Sequence, residues 1–307
     1  MKIYQYFMGV KPYMQLLALL IMSVVFLIIG SFVSALFMPL FVPLDDIVNG
    51  GVAAVNTNVS FMRFLQGSTQ ICYMLVPSLL FGMMFHERID KFFKLRFSRK
   101  QIVITIYGVL TFVVMIPFID TLTTWNNSIH LPESMAAWEI YIREMGSASE
   151  AMVEMFLTEK GNTSIFVANI VVMALIPAVC EEFIFRGAIQ QTCDKWFRNH
   201  HVAILVTAAV FSLIHFDLFN FIPRFVMGVL LGYLFYYSGT IWTSVFVHFV
   251  NNGLIVVLYH FFGYSANDTV TFGSTALNIL LVVLSIVASV LLMYAGIRSM
   301  KNTTMVE

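Results

Sequence analysis

Three short strings put ionisable and amide side chains into otherwise apolar sequence: EEFIFR at 181–186, FSLIH at 211–215 and HFVNN at 248–252. A charge at mid-bilayer costs about 2.5–3.5 kcal/mol on insertion scales, so residues of this kind need a partner or a task. On an α-helix Glu182 and Arg186 stand i, i+4, about 40° apart, and a salt bridge between them neutralises two of three charges. Glu181 stands about 140° from Arg186 and has no partner on its own helix. It must find one on another helix or hold a proton, and an isolated carboxylate in a dry site is what a general base requires. His248 and Asn252 share one helix face, as do Phe211 and His215. Counted from the inner helix ends, Glu181, His215, His248 and Asn252 lie about 16, 20, 10 and 16 Å deep, close enough to meet in one cavity. A lone membrane histidine is usually a helix–helix hydrogen bonder. An unpaired glutamate, two histidines and an amide on three helices at similar depth point to chemistry instead.

The elements that must position these residues follow from composition. The 307-residue chain is 59% hydrophobic and 11% charged, far from the roughly 25% charged residues of a soluble domain. Its apolar runs are long and continuous, which indicates an all-α polytopic membrane bundle and not a barrel. About eight spans are expected, at 14–42, 62–85, 102–118, 164–192, 202–217, 225–237, 241–262 and 275–296. The first is too long for the h-region of a signal peptide and reads as a retained helix. Seventeen basic residues balance seventeen acidic ones, which gives no argument for nucleic acid as a partner. Cys72, Cys180 and Cys193 lack CxxC spacing, so neither a disulfide framework nor a thiolate metal site is indicated.

Orientation follows from the Lys and Arg residues of the loops. With both termini cytoplasmic, the inner segments carry Lys2, Lys11, Arg88, Lys91, Lys94, Arg96, Arg99, Lys100, Lys195, Arg198, Arg298 and Lys301. The basic run at 88–101 then reads as an inner loop facing anionic lipid. The long outer loop, 119–163, is acidic. Within it Trp138, Tyr141, Ile142 and Met145 recur at helical spacing, the mark of an amphipathic surface helix; a lid or substrate-docking element is the sharper alternative. His86, His130, His200, His201 and His260 read as ordinary surface residues. The chain divides into accessory N-terminal helices (1–163), a polar-bearing core (164–262) and a C-terminal loop with the last span (263–307).

The strings match EExxxR, FxxxH and HxxxN in order and spacing, and the chain resembles the CPBP family over about 164–257. That family comprises the CAAX prenyl endopeptidases and the bacteriocin-processing (Abi) intramembrane proteases. The resemblance implies a membrane peptide hydrolase in which Glu181 is the general base on water and His215 orients or shares the proton. It implies His248 and Asn252 as the oxyanion-stabilising pair, with Glu182, Arg186 and Phe211 supporting the site. The cavity is expected to open on the cytoplasmic side. Some family members are described as metalloproteases, and Glu181, His215 and His248 could serve as Zn²⁺ ligands. The sequence lacks HExxH, so a metal-independent route is favoured and no cofactor is called for. The implied partners are membrane lipid and a hydrophobic or lipidated peptide, in a bacterial inner membrane. A proton-coupled transporter built on Glu181 and His215 is the alternative of a different class, disfavoured by the absence of a recognisable repeat. A catalytically silent scaffold is the other.

Overall fold

Residues 3–7, 9–158, 163–263 and 275–304 are described by the computed structural model, and no strand occurs among them. The long apolar runs form helices α1 (Pro12–Phe37), α3 (Val59–Phe85), α4 (Arg99–Asn127), α6 (Thr163–Phe197), α8 (Phe221–Ser238), α9 (Ile241–Phe262) and α10 (Thr275–Thr304). These seven are long and apolar enough to cross a membrane, which makes this an integral multi-pass membrane protein. Helices α2 (Leu44–Asn56) and α5 (Ala136–Thr158) lie between them, as does a single turn at Ile89–Phe92. The expected eighth span is α7, His200–Leu213. Its 14 residues reach about 21 Å, short of a hydrocarbon core of about 30 Å.

Contacts along the helices fix an up-and-down arrangement in which α7 takes its turn. Gly30 meets Cys72 and Ser34 meets Ser68, so α1 and α3 are antiparallel. Arg63 bonds Asn169 and Gln70 bonds Glu181, so α3 and α6 run parallel. Asn126 reaches Leu218 at one end of α4 while Gln101 reaches Ser238 at the other, so α8 descends beside it. Ala208 packs on Gly228 and Ile204 on Gly232, which sets α7 antiparallel to α8.

Local sequence explains the departures from the expected boundaries. Helix α4 continues past Pro117 to Asn127, so the first residues of the expected loop 119–163 are helical. A proline inside a helix removes one i→i−4 bond and pushes back the carbonyl behind it. Here the neighbouring Val114 carbonyl accepts from Ser285 Oγ of α10 at 2.6 Å. Pro223 falls in the first turn of α8, where no N–H is needed. Wide π-helical turns occupy Ile71–Leu75 and Ile170–Leu175, each placed shortly before a proline, Pro77 and Pro177. A third runs through Phe183–Gln190. Turns of this type are frequent at functional sites, because the extra residue re-aims the side chains beside it. Gln70 and the Glu181–Glu182 pair flank such turns.

An apolar core at the basic end closes the bundle below these residues. Phe93, wholly buried, wedges between α3 and α6 where Gly82 and Gly187 leave room; a Cβ on Gly187 would lie 2.5 Å from its ring. Phe183, Phe185, Phe235 and Ile241 complete the plug.

Candidate active site

The charged pair of α6 is built into close backbone packing. Glu182 and Arg186 are fully buried and joined at 2.8 Å. Gly228 and Gly232 let α7 and α8 approach closely, and their carbonyls accept from Arg186 at 3.0 Å and from Gln190 at 3.1 Å. The guanidinium also lies 4.9 Å over the Phe211 ring. Phe211 in turn touches the imidazoles of His215 and His248 edge-on, at centroid distances of 5.1 and 6.0 Å. One aromatic ring thus braces the arginine and both histidines.

His248 bridges the two glutamates. Its Nδ1 bonds Glu182 Oε1 at 2.8 Å, and its Nε2 stands 3.7 Å from Glu181 Oε2. An ionised carboxylate only accepts, so Nδ1 carries the proton and the ring orientation is fixed from behind. The 3.7 Å separation is too long for a hydrogen bond; Nε2 and the Glu181 carboxylate instead border the same space. The other oxygen, Glu181 Oε1, accepts from Gln70 Nε2 at 2.9 Å. His215 donates Nδ1–H to the Phe211 carbonyl at 2.7 Å, which leaves its Nε2 lone pair for the cavity. Asn251 donates to Asn252 Oδ1 at 2.7 Å, so the Asn252 amide keeps its own N–H groups for another acceptor.

Glu181, His215, His248 and Asn252 all line one cavity of about 420 Å³. A second cavity, of about 470 Å³, borders Glu181 and His215 from the side of α1 and α3. Ser149 of α5 lines both. The larger surroundings of the first cavity include Thr123 and Asn127 of α4, Arg224 of α8, Tyr259 of α9, and Glu150 and Glu154 of α5. Every one of these lies toward the helix ends remote from the basic loop 88–101. The expected opening is toward the basic loop; on that side the phenylalanine plug is packed, and Thr243, near the basic end of α9, is buried against Thr105 at 2.9 Å.

The amphipathic segment of the acidic loop forms a fixed roof. At its N-terminal end Glu139 accepts from Leu131 N at 2.6 Å, and from Arg143 and His130 at 2.9 Å. Those bonds, the backbone one foremost, hold its carboxyl down to about 2. Arg143 also lies 3.7 Å over the Phe219 ring. At the C-terminal end, Arg63 and Asn169 both donate to the Phe156 carbonyl. In between, Gly146 lies against the Asp217 carboxyl, itself paired with Arg224 at 2.9 Å. Burial and the nearby Asp217 charge raise the Glu150 carboxyl. Trp138 and Tyr141 stay exposed on the outer side.

Among the described residues no three His, Cys, Asp or Glu side chains converge well enough to hold a metal ion. Glu181, His215 and His248, the zinc set considered from sequence, border one cavity. His248 Nδ1 is committed to Glu182, and His215 Nδ1 to a backbone carbonyl one turn back on its own helix. Gln70 and Ser149 escaped the sequence analysis. Only the polar interruption STQ at 68–70 of an apolar span could have pointed to Gln70. His86 also departs from expectation: it is half-buried and stacks on Phe92 at 3.7 Å.

Residues 163–254 match the family model described as type II CAAX prenyl endopeptidase, Rce1-like. The Bacillus subtilis (strain 168) protein YdiL, whose own description as a membrane peptidase is provisional, is 27% identical over 93 residues. That match covers 29% of this chain and 36% of the relative. No solved structure matches. The matched segment contains Glu181, Glu182, Arg186, His215, His248 and Asn252; Gln70 and the α5 roof lie outside it.

Proposed function

We propose, for a chain whose residues 163–254 belong to the CPBP family of membrane proteases, that it is an intramembrane endopeptidase using a glutamate-activated water. The observation that carries this is the setting of Glu181: a buried carboxylate, held by Gln70, bordering a cavity together with His215, His248 and Asn252. Water in that cavity gives its proton to Glu181, with the His215 Nε2 lone pair as a second acceptor that orients it. The water oxygen adds to the peptide carbonyl carbon, and the carbonyl electrons move onto oxygen. Asn252 N–H and His248 Nε2–H, when that nitrogen is protonated, are donors set to receive the oxyanion in a dry site. Collapse of the intermediate breaks the C–N bond, and the proton held by Glu181 passes to the leaving amine. No step requires a metal.

The substrate is a membrane-associated or hydrophobic peptide, and a bacterial cell membrane suits the short loops and basic face. Glu181→Gln tests the reading, because the amide keeps the shape and cannot take a proton. Purified in detergent, that variant should be inserted and folded as the wild type is, with turnover of quenched peptides lost by at least 10³-fold. Near-normal turnover would remove Glu181 from the role of base. Exhaustive chelation should leave wild-type turnover intact, with zinc well under one equivalent; reversible inactivation by chelator would replace the metal-free route.

A further inference from the structure

We infer that the Glu181 cavity opens on the extracytoplasmic side of the membrane, so that the peptide it cuts is presented from outside and not as a cytoplasmic tail. The second clause rests on the peptidase reading above; the first does not. Two independent features meet here. Charge divides the bundle end to end. The Lys and Arg residues of 88–100, 195–198 and 298–301 gather at one end, whereas Asp45, Asp46, Glu133, Glu139 and Glu144 lie at the other. Short loops rich in Lys and Arg stay in the cytoplasm. From Glu181 and His248 the cavity extends toward the acidic end, where Asn127 closes α4, Asn220 precedes α8 and Tyr259 nears the end of α9.

The opposite route is blocked. Between the Glu181–Glu182 pair and the basic loop stand Phe93, Phe185, Phe235 and Ile241, each at most 1% exposed. Phe93 fills the slack that Gly82 and Gly187 leave between α3 and α6. On the acidic side the roof helix α5 is tied at both ends, by Glu139 and by the Arg63–Asn169–Phe156 bonds. Its inner face, with Ser149, Glu150 and Glu154, forms the wall of the opening. Water and peptide therefore reach Glu181 along α5.

The test uses the full-length protein in sealed right-side-out and inside-out vesicles. Single cysteines replace Ser147, exposed on the roof, Ser149, inside the mouth, and Arg96, exposed on the basic loop. A membrane-impermeant maleimide should label Ser147→Cys and Ser149→Cys at least tenfold more in right-side-out vesicles, and Arg96→Cys at least tenfold more in inside-out ones. Labelling by the native cysteines is subtracted with the unsubstituted protein. The reverse pattern overturns the inference. A charged, impermeant quenched peptide should be cleaved by wild-type right-side-out vesicles and not by Glu181→Gln. Cleavage confined to inside-out vesicles also overturns it. Labelling as expected with no cleavage in either orientation or in detergent upholds the sidedness and removes the peptidase reading instead.

Discussion

Replacing Glu182 by Gln separates the architecture of the site from its chemistry. Glu182 and Arg186 are 0% and 1% exposed, and one carboxylate oxygen serves both Arg186 and His248 at 2.8 Å. Gln offers one neutral acceptor where a charged one met two donors, and it leaves the guanidinium uncompensated in a dry interior. Breaking a buried pair in this way costs about 3–5 kcal/mol. At about 2–4 °C per kcal/mol for a chain of this order, the unfolding midpoint in detergent should fall by roughly 10 °C. The double variant Glu182→Gln/Arg186→Gln removes both charges and should recover much of that loss, since neutralising a whole buried pair is often close to neutral. A double-mutant cycle should then return a coupling of at least about 2 kcal/mol. Glu181→Gln, whose side chain faces the cavity and still offers Gln70 an acceptor, should unfold closer to the wild type than Glu182→Gln does. If Glu182→Gln unfolds with the wild type, or if the two single effects add without coupling, the buried pair does not hold the site as argued.

Gln70→Leu should lower kcat about tenfold, because a hydrogen bond to a charged group is worth about 1.5–3 kcal/mol; steady-state turnover equal to wild type would show that the amide does not position Glu181. Asn252→Ala should lower kcat by about 10²–10³ with little change in KM, the usual loss for one oxyanion donor; a rise in KM alone would make Asn252 a binding residue. Burial, with help from the Lys195 charge, pushes His86 down to about 4, so the folded protein disfavours the charged ring. Its contribution to stability is complete above the unfolded value of 6.5 and fades as pH falls toward 4. Thermal midpoints measured across that window should decline in the wild type and less steeply in His86→Phe; parallel curves would refute the assignment.

Composition and periodicity by themselves determined that this is a bundle of membrane helices, because apolar runs of this length have no other way to satisfy their backbone. The i, i+4 pairing of Glu182 with Arg186 was equally legible, being local to one helix. So was the isolation of Glu181 on its own span, although sequence could not name its partners. Gln70 lies 111 residues away and reaches Glu181 because α3 and α6 run parallel, with Arg63 beside Asn169 at one end and Gln70 beside Glu181 further along. Helix ends were misjudged where a proline suggested a stop: α4 continues through Pro117 to Asn127, with Ser285 of α10 bonded to the nearby Val114 carbonyl. The direction of the cavity was not legible at all. Depth along each helix can be counted from sequence. Which end is plugged depends on Phe93 entering the space left by glycines on two other helices, and which end is roofed depends on α5 being tied down by Arg63 and Glu139. Those contacts join residues distant in the chain, so only the tertiary structure decided which end of the bundle is filled and which is roofed.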